Sequence, residues 1–169
     1  WKTAMWIMRT PHQALEEDVF TLESRWRKGQ FITRGYTARA GIGRPWTLTP
    51  YVTLRYRNAH DDPRNTYWRT IHEWFECPTY ISQSQEVRIS CQKSAGAYIH
   101  INDSIVYDDP HCKDNLIVLQ CGKIDYKWKS AIWYMTHVGW STEHGGAPYS
   151  LVTFHNKGVK HIYLCTRND

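Results

Sequence analysis

The sequence has no long apolar run. Its longest, such as Leu116 to Leu119, fall far short of the roughly 18 residues that a membrane-spanning helix requires, which excludes a helical span. It has no CxxC pair, so a zinc ribbon is not expected. It has no HExxH, GxSxG, P-loop or GxGxxG motif. His72-Glu73 has no second histidine four residues after His72, and Gly41-Ile42-Gly43 is too short to cradle a phosphate. Nine histidines are present, but no fixed spacing gathers them into a metal site. A Cys–His dyad would meet in space rather than in sequence, and no residues can be named for one. The expectation is a protein without catalytic residues, cofactor or metal, that works by binding.

Acids are missing from one long interval. Between Glu23 and Asp61 there is none, while Arg25, Arg27, Lys28, Arg34, Arg39, Arg44, Arg55 and Arg57 fall inside it. Trp26, Phe31, Tyr36, Trp46, Tyr51 and Tyr56 are interleaved with them. The net charge of +5 is therefore uneven: residues 1–76 hold 12 Lys and Arg against 8 Asp and Glu, and residues 77–169 hold 9 against 8. An Arg- and aromatic-rich stretch suits a polyanion or an acidic protein face. The competing reading is a solvated strand surface with Arg stems lying over rings. Charged residues are 22% and aromatics 14%, so the chain has the means to build a core and is not a disordered tail.

The 169 residues suffice for one domain, or for a small domain with an extension. The chain starts at Trp1 and shows no charged segment leading into an apolar one, which fits a removed leader or an excised fragment. Residues 12–28 carry the one helical pattern. Pro11 follows Thr10 as a start, acids precede bases, and Leu15, Val19, Leu22 and Trp26 recur at spacings of three and four. Beyond Gly29 the texture is β. Residues 31–40 and 47–57 alternate, 58–65 read as a polar loop, and 68–75 fit either a helix or a strand. From Cys77 on, short alternating strands follow one another between turn signals, as in an antiparallel sandwich. The expected organisation is a basic, aromatic-rich extension over 1–76 and a β-sandwich over 77–169, with the boundary between about 58 and Thr79.

Five cysteines are present: Cys77, Cys91, Cys112, Cys121 and Cys165. Cys112 and Cys121 bracket a turn and a strand, a spacing that suits a local bridge, and Cys91 and Cys165 end strands near the two extremes of the second region. Cys77 is the odd one, free or bonded to another chain. The alternative is five buried thiols in a reducing compartment. Asn102-Asp103-Ser104 is the single glycosylation sequon.

The order Cys91, Cys112, Cys121, Cys165, the Cys121-Gly122 step in LQCGK, Tyr134 within IWYMT and the terminal HIYLC together resemble the ZP-N domain, the amino-terminal half of the zona pellucida module of egg-coat proteins. The resemblance covers about residues 80–169. It implies an immunoglobulin-like sandwich, the pairings Cys91–Cys165 and Cys112–Cys121, Gly122 and Tyr134 as signature positions, and a secreted glycoprotein of an egg coat or related matrix. Cys112 and Cys121 are closer together than the family usually has them, and no carboxy-terminal half of the module follows. A plain immunoglobulin domain is the competitor. Tyr163-Leu164-Cys165 looks like a tyrosine corner, but no Trp lies within fifteen residues after Cys91.

On this reading the protein is secreted and binds a protein partner with an acidic face. Trp26, Arg34, Trp46 and Arg55 in the basic interval, and Trp133 and Trp140 in the sandwich, are the candidate contact residues. Self-association would use a strand edge or Cys77. Two alternatives stand beside it: a nucleic-acid-binding protein using residues 25–57, and a viral surface receptor-binding domain.

Overall fold

The computed structural model describes residues 2–10, 19–39, 47–56, 62–72, 84–94, 96–107, 116–124, 127–142, 149–159 and 162–165. Among them the chain is mainly β. The strands are β1 (Trp6–Arg9), β2 (Thr21–Ser24), β3 (Gln30–Arg39), β4 (Thr47–Tyr56), β5 (Trp68–His72), β6 (Gln85–Cys91), β7 (Ala97–Tyr107), β8 (Leu116–Lys123), β9 (Trp133–Ser141) and β10 (Tyr149–Asn156). They pair antiparallel in the order β5-β6-β7-β8-β4-β3-β2-β1-β10-β9. An additional pairing of Gln85, Glu86 and Val87 with Met135, Tyr134 and Trp133 joins β9 back to β6, which makes the sheet a near-barrel. Within this ring, β5 lies along the other edge of β6, from Trp68↔Cys91 to His72↔Val87.

The stretch 19–28 is not helical. Thr21–Ser24 is a strand that pairs β1 on one side, and on the other Glu23 pairs Phe31 of β3. All four of its residues are buried, so both faces are covered and no two-residue alternation survives in the sequence. Val19 and Leu22 are buried on the strand and its flank while Trp26 is exposed, so these three residues do not form a helical stripe. Residues 11–18 lie outside the described residues. Strand pairing also crosses the expected boundary near 58–79, since β1 pairs β10, β4 pairs β8 and β5 pairs β6.

Alternation reads correctly elsewhere. Ala97, Ile99 and Ile101 of β7 point into the core beside Val87, Ile89 and Cys91 of β6, and Val152 and Phe154 of β10 join them. Three tryptophans are fully buried and tie together segments that are not paired with one another. The indole N–H of Trp6 donates to the Leu164 carbonyl at 2.9 Å, that of Trp68 to Ile32 at 3.0 Å, and that of Trp133 to Ile99 at 3.0 Å. Each ring fills core volume while its one polar atom is satisfied, the condition for burying an indole without penalty.

Candidate contact surface

The outer face of β9 and β10 carries a row of three rings. Register fixes two of them: Tyr134 stands directly opposite His155, and Thr136 opposite Thr153. Tyr163 extends the row, because an isolated bridge pairs it with His155. The Tyr134 and His155 centroids are 6.1 Å apart, and those of His155 and Tyr163 are stacked at 4.8 Å. Met5, Ser84, Thr136, Val138 and Thr153 complete a groove of about 430 Å³ around the row. The Ser84 and Thr136 hydroxyls are hydrogen-bonded at 2.6 Å. His155 Nε2 is buried without a hydrogen-bond partner. Lys157 borders the row, with its ammonium on the Glu86 carboxylate at 2.6 and 2.7 Å.

A bulge sets what lies next to the groove. Leu151 pairs Gly139 and Val152 pairs His137, so Val138 is an extra residue in β9. Gly139 sits at φ +151°, a conformation that side-chain-bearing residues rarely adopt, and nothing lies within 4 Å of where its Cβ would be. Past the bulge, Val138 and Trp140 both face solvent, Trp140 with 59% of its surface exposed. The His137 ring meets Trp140 edge-on at 4.8 Å. Exposed Trp and Tyr beside a concavity form the composition of a contact hot spot.

Two further exposed aromatics lie at the turn after β2 and at the end of β4. Trp26 is 53% exposed and Tyr56 64%. The Tyr56 ring packs over Gly29, its Cε1 3.3 Å from where a Cβ would be. Glu23 holds this turn from inside. Its carboxylate accepts the Gly29 N–H at 2.8 Å and meets the Arg9 guanidinium at 2.6 Å. Arg25, Arg27 and Lys28 flank Trp26 in sequence.

The expected contact residues thus divide. Trp26 and Trp140 are exposed. Trp133 is fully buried and is a core residue, because its ring sits where β9 meets β6 and β7. Arg34 is 6% exposed, and its Nε donates to the Cys121 carbonyl at 3.5 Å. Its place in a run of basic residues concealed that its strand position faces inward. Arg55 lies in β4 opposite Phe31. Trp46 lies outside the described residues. Sequence reasoning missed His155 and Tyr163 as contact candidates. The signal available was the HxY spacing of His161 and Tyr163 after an alternating strand, which does not show that Tyr163 folds back onto His155.

Cys91, Cys121 and Cys165 are free thiols, the first two buried and the third exposed. Cys91 ends β6 and Cys121 lies on β8 opposite Ile99, both within one core cluster. Cys77 and Cys112 lie outside the described residues. Gly122 follows Cys121 on β8, opposite Tyr98. Asn102 falls where β7 leaves its register with β8: Ile101 pairs Leu119 and Val106 pairs Ile117, so the sequon lies in a run of extra residues. Comparison with family models, with curated proteins and with solved structures finds no match in any of the three. Among the described residues, no helix is long and apolar enough to cross a membrane.

Proposed function

We propose that this chain is a secreted extracellular glycoprotein that works by protein–protein contact through the outer face of β9 and β10. The observation that carries the reading is the ring row Tyr134, His155 and Tyr163 lying in a groove beside solvent-facing Val138 and Trp140. The groove takes a partner's side chain among aromatic rings and hydroxyls, and Trp140 supplies a flat anchor at its rim. The net charge of +5 favours an acidic partner and a salt-dependent on-rate. An immunoglobulin-like, ZP-N-like domain is part of this reading. Its setting would be an egg coat or related matrix, acting in assembly or gamete recognition. The sequon at Asn102 would carry a glycan, which the register break in β7 accommodates better than a regular ladder would. Self-association would run through a strand edge or through Cys77.

The test is saturable binding of the labelled, secreted chain to intact cells and deposited matrix of its source tissue. Trp140→Ala and Tyr163→Ala are each expected to weaken it at least tenfold, and raised salt is expected to slow association. Unchanged binding by both variants would refute the assignment of the face. Expression of Asn102→Gln through a secretory pathway should abolish a glycosidase-sensitive mass shift.

A second reading has its own observation: the exposed rings of Trp26 and Tyr56 flank the basic turn 25–28, an arrangement that suits stacked bases and a phosphate backbone. It predicts binding to random single-stranded oligonucleotides at low salt with a steep salt slope. No binding under those conditions would end it.

A further inference from the structure

One cross-strand row on the outer face of the sheet joins two features that lie far apart in the sequence. Thr136 of β9 stands opposite Thr153 of β10, and the register Gln85↔Met135 places Ser84 beside Thr136, where the two hydroxyls bond at 2.6 Å. On the other side of β10, the register Trp6↔Val152 brings Met5 level with Thr153, and both line the groove. The register Trp6↔Ser24 then sets Arg25 opposite Met5. Two contacts make that step: the Arg25 backbone N–H donates to the Met5 carbonyl at 3.2 Å, and its guanidinium lies on Met5 Sγ at 3.2 Å. The row that floors the groove therefore runs across the strands and continues onto the basic turn 25–28.

We propose that this surface docks an extended, acidic segment of a partner protein, laid across the strands with one side chain among the rings and its carboxylates at Arg25, Arg27 and Lys28. The proposal rests on the reading of the β9 and β10 face as a contact surface, and names what that face takes.

From Ser84 to Arg25 the row crosses four strand spacings of about 4.8 Å, about 19 Å in all. An extended chain rising about 3.3 Å per residue covers that distance with about six residues. Charge gives the segment its chemistry and its direction. At the β2 end, Arg25, Arg27 and Lys28 surround Trp26 in sequence, and both Trp26 and Lys28 face solvent. The acid before them, Glu23, has 4% of its side chain exposed and is turned inward onto Arg9 and the Gly29 N–H. No further acid occurs in the sequence until Asp61. At the β6 end the charges cancel, because Glu86 stands opposite Tyr134 and holds the Lys157 ammonium at 2.6 Å. Carboxylates are thus favoured at one end of the row only, where pairing with arginine sets the rate and register of docking. Between the ends, Tyr134, His155 and Tyr163 on one side and Val138 on the other leave room for an anchor side chain. Met5, Thr153, Thr136 and Ser84 supply no cation, so a nucleic acid, charged at every nucleotide, would meet its counter-charge over one end alone.

The test is selection of a random octapeptide library, displayed on phage, against the immobilised full chain at low salt. The enriched peptides are expected to cluster Asp or Glu toward one end, with an aromatic or long aliphatic residue a few positions away. One of them, synthesised with a fluorescent label, is then titrated by anisotropy. Arg25→Glu should weaken its binding about tenfold, and Lys28→Glu, which leaves the contact with Met5 in place, about threefold, each with an unchanged circular dichroism spectrum. Lys123→Glu, the same charge change on an exposed lysine of β8, should have no effect. No enrichment, enriched peptides without acidic bias, or equal binding by wild type, Arg25→Glu and Lys28→Glu would each overturn the proposal. So would a random single-stranded oligonucleotide that binds more tightly than the peptide and depends on Arg25. Binding of Arg25→Glu to cells and matrix, measured beside Trp140→Ala and Tyr163→Ala, separates the two readings. Weakening by the latter two alone keeps the contact face and overturns the acidic segment, whereas Arg25-dependent peptide binding with unchanged matrix binding by those two keeps the segment and overturns the role of the face.

Discussion

Trp133 and Trp140 lie seven positions apart on one strand, and the structure assigns them opposite roles. Replacing Trp133 with Phe removes three ring atoms from a site with no exposed surface and leaves the Ile99 carbonyl without its donor at 3.0 Å. The orphaned acceptor costs about 1–3 kcal/mol. The unfilled volume adds to this, within the about 3–5 kcal/mol that complete truncation of a core Trp or Phe to Ala costs. Trp133→Phe should therefore lose about 2–4 kcal/mol. At about 2–4 °C per kcal/mol for a chain of this size, Tm falls by about 4–16 °C. Trp140→Ala forfeits only its edge contact with His137, about 0.5–1 kcal/mol. Urea unfolding followed by far-UV circular dichroism measures both, with an unchanged m value as the check that both folded states are equivalent. Destabilisation by Trp133→Phe within about 0.5 kcal/mol of that by Trp140→Ala would refute the claim that the Trp133 indole braces the closure of β9 on β6, under the usual scatter of such measurements.

Other expectations follow from single contacts. At Gly158 an added Cβ would lie 2.7 Å from the Ser130 backbone nitrogen, so Gly158→Ala should destabilise by about 1–3 kcal/mol in the same urea assay. Asp62 caps the 3₁₀ turn Pro63–Asn65, and its side-chain hydrogen bonds from Arg64 and then Lys93 hold its carboxyl well below the usual range. Its contribution is therefore present above the unfolded carboxyl pKa and is lost as pH falls below about 4. Asp62→Asn should flatten that acid limb by lowering the neutral plateau, while stability at low pH stays nearly unchanged. The Glu86–Lys157 pair is partly exposed on both sides, so Glu86→Gln should cost about 0–1 kcal/mol, less at high salt, as a salt titration of unfolding would show.

What the sequence made legible was local. Alternation at Ala97, Ile99 and Ile101 marked a strand with one face inward, and the strand stands as expected. Alternation failed as a guide at Thr21–Ser24, because a short strand buried on both faces has no polar side to reveal its period. Charge misled at Arg34. A basic run looks solvated, yet one of its members faces the interior, where the Cys121 carbonyl receives it. The tryptophans could not be sorted by composition, since Trp serves both core and contact surface. Only the register of β9 and its bulge at Val138 separates Trp133 from Trp140. The burial of Cys91 and Cys121 in one core cluster was equally hidden, because it depends on strand order and not on sequence spacing. For the same reason, the groove owes its third ring to a backbone bridge, His155↔Tyr163, which no local pattern signals.

The seating of β1 between β2 and β10 has a consequence for biosynthesis. Trp6 is synthesised 158 positions before the carbonyl that its indole donates to. Until β10 and Leu164 are released, β1 has one sheet edge unpaired and a large ring without its hydrogen-bond partner. Contacts of such sequence separation form slowly, and a nascent strand with a bare edge is open to wrong pairing in the interval. The ring is thus expected to close only after Leu164 has left the ribosome, and not progressively as its strands emerge.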